Sequence, residues 1–342
     1  MFPSASMKIM FELSKEQPTI PTAEIFSCLH AENIKFTKLI SNEDVLVIEA
    51  TNVTTEQMQY IANRLSFSSF VDEFLFSGPP TPEMLVKIAS QHPIPKKGSI
   101  AITYKKRSQS IDSQSLVQAL GVHYAKERQI NLSNPDIIIR LLVTDSQVYA
   151  GIQLAEIDKK TFEQRKASYR PFFSPISLHP KLARALVNLS QIKKDDIVLD
   201  PFCGTGGIIL EAGLLGARVI GSDVEQKMIN GCKKTLEFYN IHNCQLFCSD
   251  IGDIINTIHK VDAVVTDFPY AKATTTKGES IPLLYERAFD TLSQVLKPGG
   301  RAVIGMHNEK MSLIGKQYLS LVESHPFRVH RSLTRYFVVF EN

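Results

Sequence analysis

Ile197 to Gly207 reads IVLDPFCGTGG, and the apolar run IILEAGLL continues from it. Three apolar residues lead to Asp200, and a turn carrying Gly204, Gly206 and Gly207 follows. This order predicts a buried parallel strand that enters a helix through a turn with little side-chain bulk. Such a turn lets backbone approach a ligand at the carboxyl edge of a parallel sheet, where open α/β sheets bind. The glycines alone do not choose the ligand. A phosphate-binding loop needs a Lys after its last glycine, and a dinucleotide fingerprint needs G-x-G-x-x-G, whereas this turn reads GTGGII. The next strand narrows the choice. RVIGSDV carries Asp223 at its end, and an acidic residue there can accept both hydroxyls of an adenosine ribose. A plain strand–helix turn with a capping Asp is the simpler alternative.

From Asp196 onward the pattern repeats strand then helix. The strands are IVLDPF, RVIGSDV, CQLFCSD, VDAVVTDF and RAVIGMH, with EQKMINGCKKTLEFYN and PLLYERAFDTLSQVL among the helices. Pro298-Gly299-Gly300 is expected to stop the last of these helices. FRVHRSL and YFVVFEN close the chain in hairpin order. Parallel strands ended by an antiparallel pair predict an α/β, doubly wound sheet of mixed direction.

Upstream, Met7 to Gly78 shows runs in the order β-α-β-β-α-β, the split βαβ or ferredoxin-like order. Within it Thr54 and Gln57 make a capping box for EQMQYIANRL. Pro79, Pro80 and Pro82 punctuate the chain before a segment with a strand GSIAITYKKRSQS. A helix capped by Asp112 or Ser113 follows, then a hairpin, DIIIRLLVT and QVYAGIQLAEI, around Asp145-Ser146. The expected domains are 1–78, 79–160 and 178–342, with a linker over 161–177.

The 342 residues suit two or three domains. No apolar run reaches the roughly 18 residues of a membrane span, and no secretory leader is read. The five cysteines form no paired framework and no zinc pattern, so reduced thiols in the cytoplasm and no metal are expected. Lys and Arg against Asp and Glu sum to −5 over residues 1–90, +6 over 91–170 and +2 over 171–342. The middle segment therefore suggests a polyanion partner. Lys96, Lys97, Lys105, Lys106, Arg107, Lys159, Lys160, Arg165 and Lys166 are its candidate phosphate contacts. Scattered solubilising lysines are the alternative.

A second stretch carries chemistry. The fourth strand ends in Thr266-Asp267-Phe268-Pro269-Tyr270, which with Asp200, Asp223 and Asp250 sets acidic groups along one sheet edge. Pro269 fixes the local path of the chain. The Asp267 carboxylate and the Phe268 carbonyl can then accept from one amino group, and Tyr270 can stack on a planar ring. That constellation suits an aromatic base with an exocyclic amine.

DPFCGTGG, SDV, CSD and TDFPY resemble the successive motifs of Rossmann-like S-adenosylmethionine-dependent methyltransferases that act on amino nitrogens of nucleobases. RPFFSPISLHPKLARALVNL is similar to the segment before the first strand in the tRNA guanosine-10 N2-methyltransferases. NPDIIIRLLVTDSQVYAGIQL looks like the end of a THUMP domain, preceded by a ferredoxin-like domain. The chain departs from the family tetrapeptide by Phe268 in place of a second proline, and by Ala271 where glycine is common.

The resemblance implies S-adenosylmethionine as cofactor and tRNA as partner, with one or two methyl transfers per guanosine left open. It places Asp223 and Val224 at the ribose and Asp250 with Ile251 at the adenine. Asp200, Phe202, Gly204, Thr205, Gly206 and Ser177 fall by the methionine end, and Asp267, Phe268, Pro269 and Tyr270 at the reacting amine. Adenine N6, a ribosomal guanine or a glutamine amide are other substrates of this tetrapeptide type. A non-catalytic RNA-binding relative is the reading from another class.

Overall fold

The computed structural model describes residues 6–174, 177–269, 279–330 and 333–342. Tyr270, Ala271 and the run from Lys272 to Gly278 lie outside the described residues. In chain order the first elements are β1 (Ser6–Leu13), α1 (Ile20–Ala31), β2 (Phe36–Ser41), β3 (Val45–Thr51), α2 (Thr55–Arg64) and β4 (Ser68–Gly78). Then come α3 (Pro82–Ala89), β5 (Ile100–Lys106), α4 (Ser113–Ala125), β6 (Ile137–Val143), β7 (Val148–Glu156) and α5 (Lys160–Gln164). The last part holds α6 (Pro180–Leu189), β8 (Ile197–Asp200), α7 (Gly207–Leu214), β9 (Arg218–Asp223), α8 (Gln226–Phe238), β10 (Cys244–Cys248) and β11 (Val261–Asp267). It ends with α9 (Ile281–Val295), β12 (Leu296–Met306), α10 (Ser312–Gly315), β13 (Ser320–His330) and β14 (Leu333–Glu341).

The chain is α/β, with two mixed sheets of seven strands each. The first has the order β2-β3-β1-β4-β7-β6-β5, antiparallel except for the parallel pair β5–β6. It runs unbroken through β4 and β7, so residues before and after Gly78 share one sheet. The capping box of α2 is present: the Thr54 N–H donates to Gln57 Oε1 at 2.9 Å, and the Gln57 N–H donates to Thr54 Oγ1 at 3.3 Å. Asp112 caps α4 by accepting from the N–H groups of Gln114 and Ser115.

The second sheet has the order β10-β9-β8-β11-β12-β14-β13, parallel from β10 to β12 and antiparallel for the last two strands. Chain order reverses between β8 and β11, which creates a crevice at their carboxyl ends. One face of this sheet buries Leu186, Ile209 and Leu236 from α6, α7 and α8. The other buries Tyr285, Phe289 and Leu292 from α9.

Three features differ from the expectation. The unit built on the second sheet also takes in Glu16–Asn33 and Arg64–Phe67. Ile20, Ala23 and Phe67 join its apolar core. The fully buried Glu24 accepts from the N–H groups of Ser66 and Phe67 and from the Asn188 amide. These hydrogen bonds satisfy the buried carboxyl and tie α1 to α6. The segment expected as a linker is packed: Phe162 and Arg170 are buried. Finally, α9 ends at Val295, and Pro298-Gly299-Gly300 lies inside β12, where Gly299 has a φ of +73°. The buried Leu296 pairs with Val261, and the residue before a proline favours extended backbone, so the strand begins early.

Candidate active site

The carboxyl ends of β8, β9 and β11 bring the glycine-rich turn, Asp223 and Asp267 to one sheet edge. Gly204 and Gly206 have φ of +49° and +81°, conformations that side chains other than glycine rarely adopt. A Cβ at Gly206 would meet Cys232 Sγ at 2.5 Å, whereas a Cβ at Gly204 would point into open space. The turn is braced from behind and open in front. Asp223 ties it to β9: Oδ2 accepts the Gly204 N–H at 3.0 Å and Oδ1 accepts the Glu225 N–H at 2.9 Å. Burial pushes the Asp223 carboxyl up from its ordinary value, while those two N–H groups pull it down. Val224, next in line, is half-buried. Ser177 Oγ and Thr205 Oγ1 lie 2.9 Å apart, which joins the pre-strand segment to the turn.

Asp200 is 1% exposed, and Phe202 N–H donates to its Oδ1 at 3.2 Å. Burial pushes its carboxyl up to about 7, and the neighbouring charges of Asp223 and Asp267 add to that. Asp200 is therefore a support under the turn rather than an exposed acceptor. Asp250 caps the turn after β10 by accepting the Gly252 N–H at 2.9 Å, and it pairs with Arg287 of α9, which also holds Glu279 at 2.7 Å. The Ile251 side chain is buried among the α9 residues, so only its backbone can face a ligand.

Asp267 ends β11. Its Oδ2 lies 3.1 Å from Arg335 Nη1 of β14, and its buried Oδ1 has no hydrogen-bond partner among the described residues. Burial pushes the carboxyl up to about 6, against the pull of the Arg335 charge. Gly305 of β12 makes room for it, since a Cβ there would stand 2.3 Å from Oδ1. Phe268, the departure from the usual tetrapeptide, is fully buried. Its ring centroid lies 5.3 Å from Phe202, 4.8 Å from Tyr285 and 5.5 Å from Phe289. The Phe268 N–H donates to Gly305 O at 3.0 Å, and the Tyr285 hydroxyl donates to Pro269 O at 3.3 Å. The ring thus anchors the strand tip from within the core, in place of a second proline's rigid backbone.

A family model described as an RMKL-like methyltransferase domain matches residues 167–336, and one described as a DNA methylase matches residues 36–234. The tRNA (guanine(10)-N2)-dimethyltransferase of Methanothermobacter thermautotrophicus is 35% identical over 98% of this chain and 99% of that protein. The chain belongs to the tRNA (guanine(10)-N2)-dimethyltransferase family. The family's Pyrococcus abyssi member is 36% identical over 65% of this chain and 67% of its own length. In fold, the crystal structure of TrmN from Thermus thermophilus matches with a TM-score of 0.56 at 18% identity, covering 98% of this chain and all of that one. SMU.472, solved with SAH bound, matches with a TM-score of 0.54 at 12% identity over 98% of each chain.

In this family member the candidate phosphate contacts divide into three groups. Lys96, Lys97, Lys105, Lys106, Lys159 and Lys160 are exposed. Arg107 is a correction to the expectation. Its side chain is 12% exposed and donates to Asp44 Oδ1 at 2.8 Å and to Leu13 O at 2.6 Å, with Glu12 at 3.3 Å. Arg165 is a second correction: it is bidentate on the fully buried Glu211, at 2.8 and 3.0 Å. Both guanidiniums are committed to internal carboxylates, and their geometry leaves no fork for a phosphate. Lys166 pairs with Glu163 on the surface.

Sequence reasoning missed Gly305 and Arg335. A glycine inside a strand pattern signals close approach of another group, so Gly305 in RAVIGMH was open to discovery. Arg335 gave no signal, because its strand lies 68 residues beyond Asp267 and only the sheet order makes them neighbours.

Proposed function

We propose that this chain transfers methyl groups from S-adenosylmethionine to the exocyclic N2 of a guanosine in tRNA. The position is 10, and the products are N2-methyl- and N2,N2-dimethylguanosine, as in the relatives' names. The observation that carries the reading is the buried Oδ1 of Asp267, which has no hydrogen-bond partner among the described residues, on the sheet edge that also carries the glycine-rich turn. An acceptor in that state fits an amine that donates to it.

The residues present fit the cofactor. Gly204 offers space where a side chain would stand, and Asp223 keeps lone pairs for ribose hydroxyls. Val224 and the Ile251 backbone would border the ribose and adenine, with Asp250 toward the adenine amine. Phe202, Thr205, Gly206 and Ser177 would line the methionine end, over Asp200. When bound, the sulfonium of S-adenosylmethionine supplies an electrophilic methyl carbon.

The guanine amine is a weak nucleophile because its lone pair is delocalised into the ring. In the first transfer Asp267 Oδ1 and the Phe268 carbonyl would accept its two hydrogens, and in the second one of them would accept the hydrogen that remains, turning the lone pair toward the methyl as charge develops. Tyr270 would stack on the base. As the new N–C bond forms, the nitrogen loses a proton. Asp267, with its carboxyl near pKa 6, can take that proton and return it to water.

The base must leave its stack to arrive there, at a cost of a few kcal/mol. We assign the tRNA grip to a THUMP-type segment over 79–160, preceded by a ferredoxin-like segment over 1–78 that shares its sheet and whose α1 belongs to the other unit. The β2-β3-β1-β4 order and the exposed Lys105 and Lys106 on the edge strand β5 support that assignment. Among the described residues no helix is long and apolar enough to cross a membrane. A tRNA substrate favours the cytoplasm.

Mass spectrometry of nucleosides from a treated, unmodified tRNA transcript tests the reading. The expected product is methylated guanosine at position 10. Asp267→Ala should abolish it while calorimetric cofactor binding stays near that of the unsubstituted protein. Methyl gain only on ribosomal RNA, DNA or protein would overturn the substrate, and equal loss of binding and transfer in Asp267→Ala would overturn the role of that residue.

A further inference from the structure

Oδ2 of Asp267 faces Arg335, and Oδ1 is the oxygen with no hydrogen-bond partner among the described residues. The Asp267 and Arg335 side chains are 16% and 11% exposed, and their 3.1 Å pair is within charge-assisted hydrogen-bond reach. That contact restrains the rotation of the carboxylate. The Phe268 N–H to Gly305 O bond, at 3.0 Å, holds the backbone beside it, and Gly305 leaves room for Oδ1.

We propose that Arg335 is a positioning residue for the methyl transfer: it clamps Oδ2 of Asp267 and presents Oδ1 to the amine. The proposal rests on the assignment of Asp267 to the reacting amine. It has two consequences. A carboxylate free to rotate would offer either oxygen at varying distance, whereas the clamped one offers a single acceptor in line with the strand. The clamp also keeps the carboxylate ionised in a site where burial favours its neutral form, and a neutral carboxyl would meet the amine with an O–H. Among the described residues, the charged group bearing on Asp267 is Arg335 from β14, and the Asp267 charge in turn raises the Asp200 carboxyl of β8. From β12 the facing residue is Gly305, which has no side chain, and from α9 the Tyr285 hydroxyl goes to Pro269 O.

The test is the pH profile of single-turnover methyl transfer to tRNA transcript, for the unsubstituted protein, Arg335→Gln and Arg335→Lys. The unsubstituted protein should lose rate as pH falls through about 6. Arg335→Gln should shift that acid limb upward by about a unit or more and lower the plateau at least tenfold. Arg335→Lys should keep the limb near its original pH, because the charge remains, yet lower the plateau, because a flexible ammonium does not hold Oδ2 where the planar guanidinium does. In an Asp267→Asn background, Arg335→Gln should shift nothing.

Carbon-detected titration of the Asp267 carboxyl in the cofactor-free protein gives a readout independent of turnover, and it should move upward in Arg335→Gln. Thermal melting and cofactor calorimetry establish that each variant is folded. An unmoved limb and an unmoved carboxyl titration in folded Arg335→Gln would overturn the inference. Failure of the unsubstituted protein to methylate tRNA would instead overturn the substrate reading. Should the variant not fold, Arg335→Lys decides: a full plateau there would overturn the positioning role.

Discussion

At Gly305 one added carbon would reach the proposed reacting carboxylate directly. That Cβ would stand 2.3 Å from Asp267 Oδ1 and 3.1 Å from the Phe337 ring, so the pinned carboxylate has to move. Gly305→Ala should lower methyl transfer at least tenfold while cofactor binding, read by calorimetry, stays within about twofold; a displacement near 1 Å in a positioned group carries that kind of loss. Asp200 offers a different single-residue expectation. Its folded-state pKa of about 7 lies above the ordinary 3.8, so the folded protein binds its proton more tightly than the unfolded chain does. That contribution favours folding at low pH and is lost as pH rises from about 4 to 7. Asp200→Asn should therefore raise the melting temperature relative to the unsubstituted protein at pH 8, with the gap closing toward pH 4. A gap independent of pH would show that the carboxyl is not the group responsible. At this scale the sequence displayed Asp200, Gly204, Gly206, Asp223 and Asp267, because tight turns and strand ends demand those residue types in sequence-local order. It hid Arg335, whose meaning depends on a neighbour supplied by sheet topology.

The elements show how the glycine-rich turn is held from behind. Glu211 of α7 is fully buried and faces Arg165 at 2.8 Å and Arg184 at 2.9 Å. Arg170 lies near the same carboxylate, its Nε donating to Arg165 O at 2.9 Å while its Nη atoms have no partner among the described residues. One carboxylate thus balances a group of cations beside the helix that follows the turn. Removing one partner of a buried ion pair costs about 3–5 kcal/mol. Glu211→Ala should therefore shift the denaturant midpoint strongly, far more than Lys166→Ala, whose partner Glu163 is surface-exposed. Equal shifts would mean that water reaches Glu211 freely. The helix periods of α6 to α9 and the alternation of strand and helix were legible in residue order, and so was the hairpin at the end. The allegiance of α1 was not. Its apolar spacing says that it packs on something, but Glu24 and its partners from α6 and the Ser66–Phe67 turn decide on what.

At the scale of the whole chain, charge sorts into a negative first stretch and a positive middle, yet the sum overstates what is available to a polyanion. Arg107 and Arg140 both belong to that positive segment, and both are turned inward: Arg107 to Asp44 and Glu12, Arg140 to Glu12 at 2.6 Å and Asp72 at 2.7 Å. Lys105 and Lys106, side by side at the end of β5, are exposed. The two kinds of cation should separate cleanly in a salt titration. Each phosphate neutralised releases counterions, so the slope of log affinity against log salt counts the cations engaged. Replacing Lys105 and Lys106 together by Ala should weaken tRNA binding at low salt and flatten that slope by about two, with the melting temperature unchanged. Arg107→Ala should do the reverse, lowering the melting temperature by taking from Asp44 and Glu12 one of the two cations that each faces, Lys15 remaining on Asp44 and Arg140 on Glu12, while the slope in the folded protein stays the same. A slope that follows Arg107 and ignores the lysine pair would place the tRNA on another face of the first sheet.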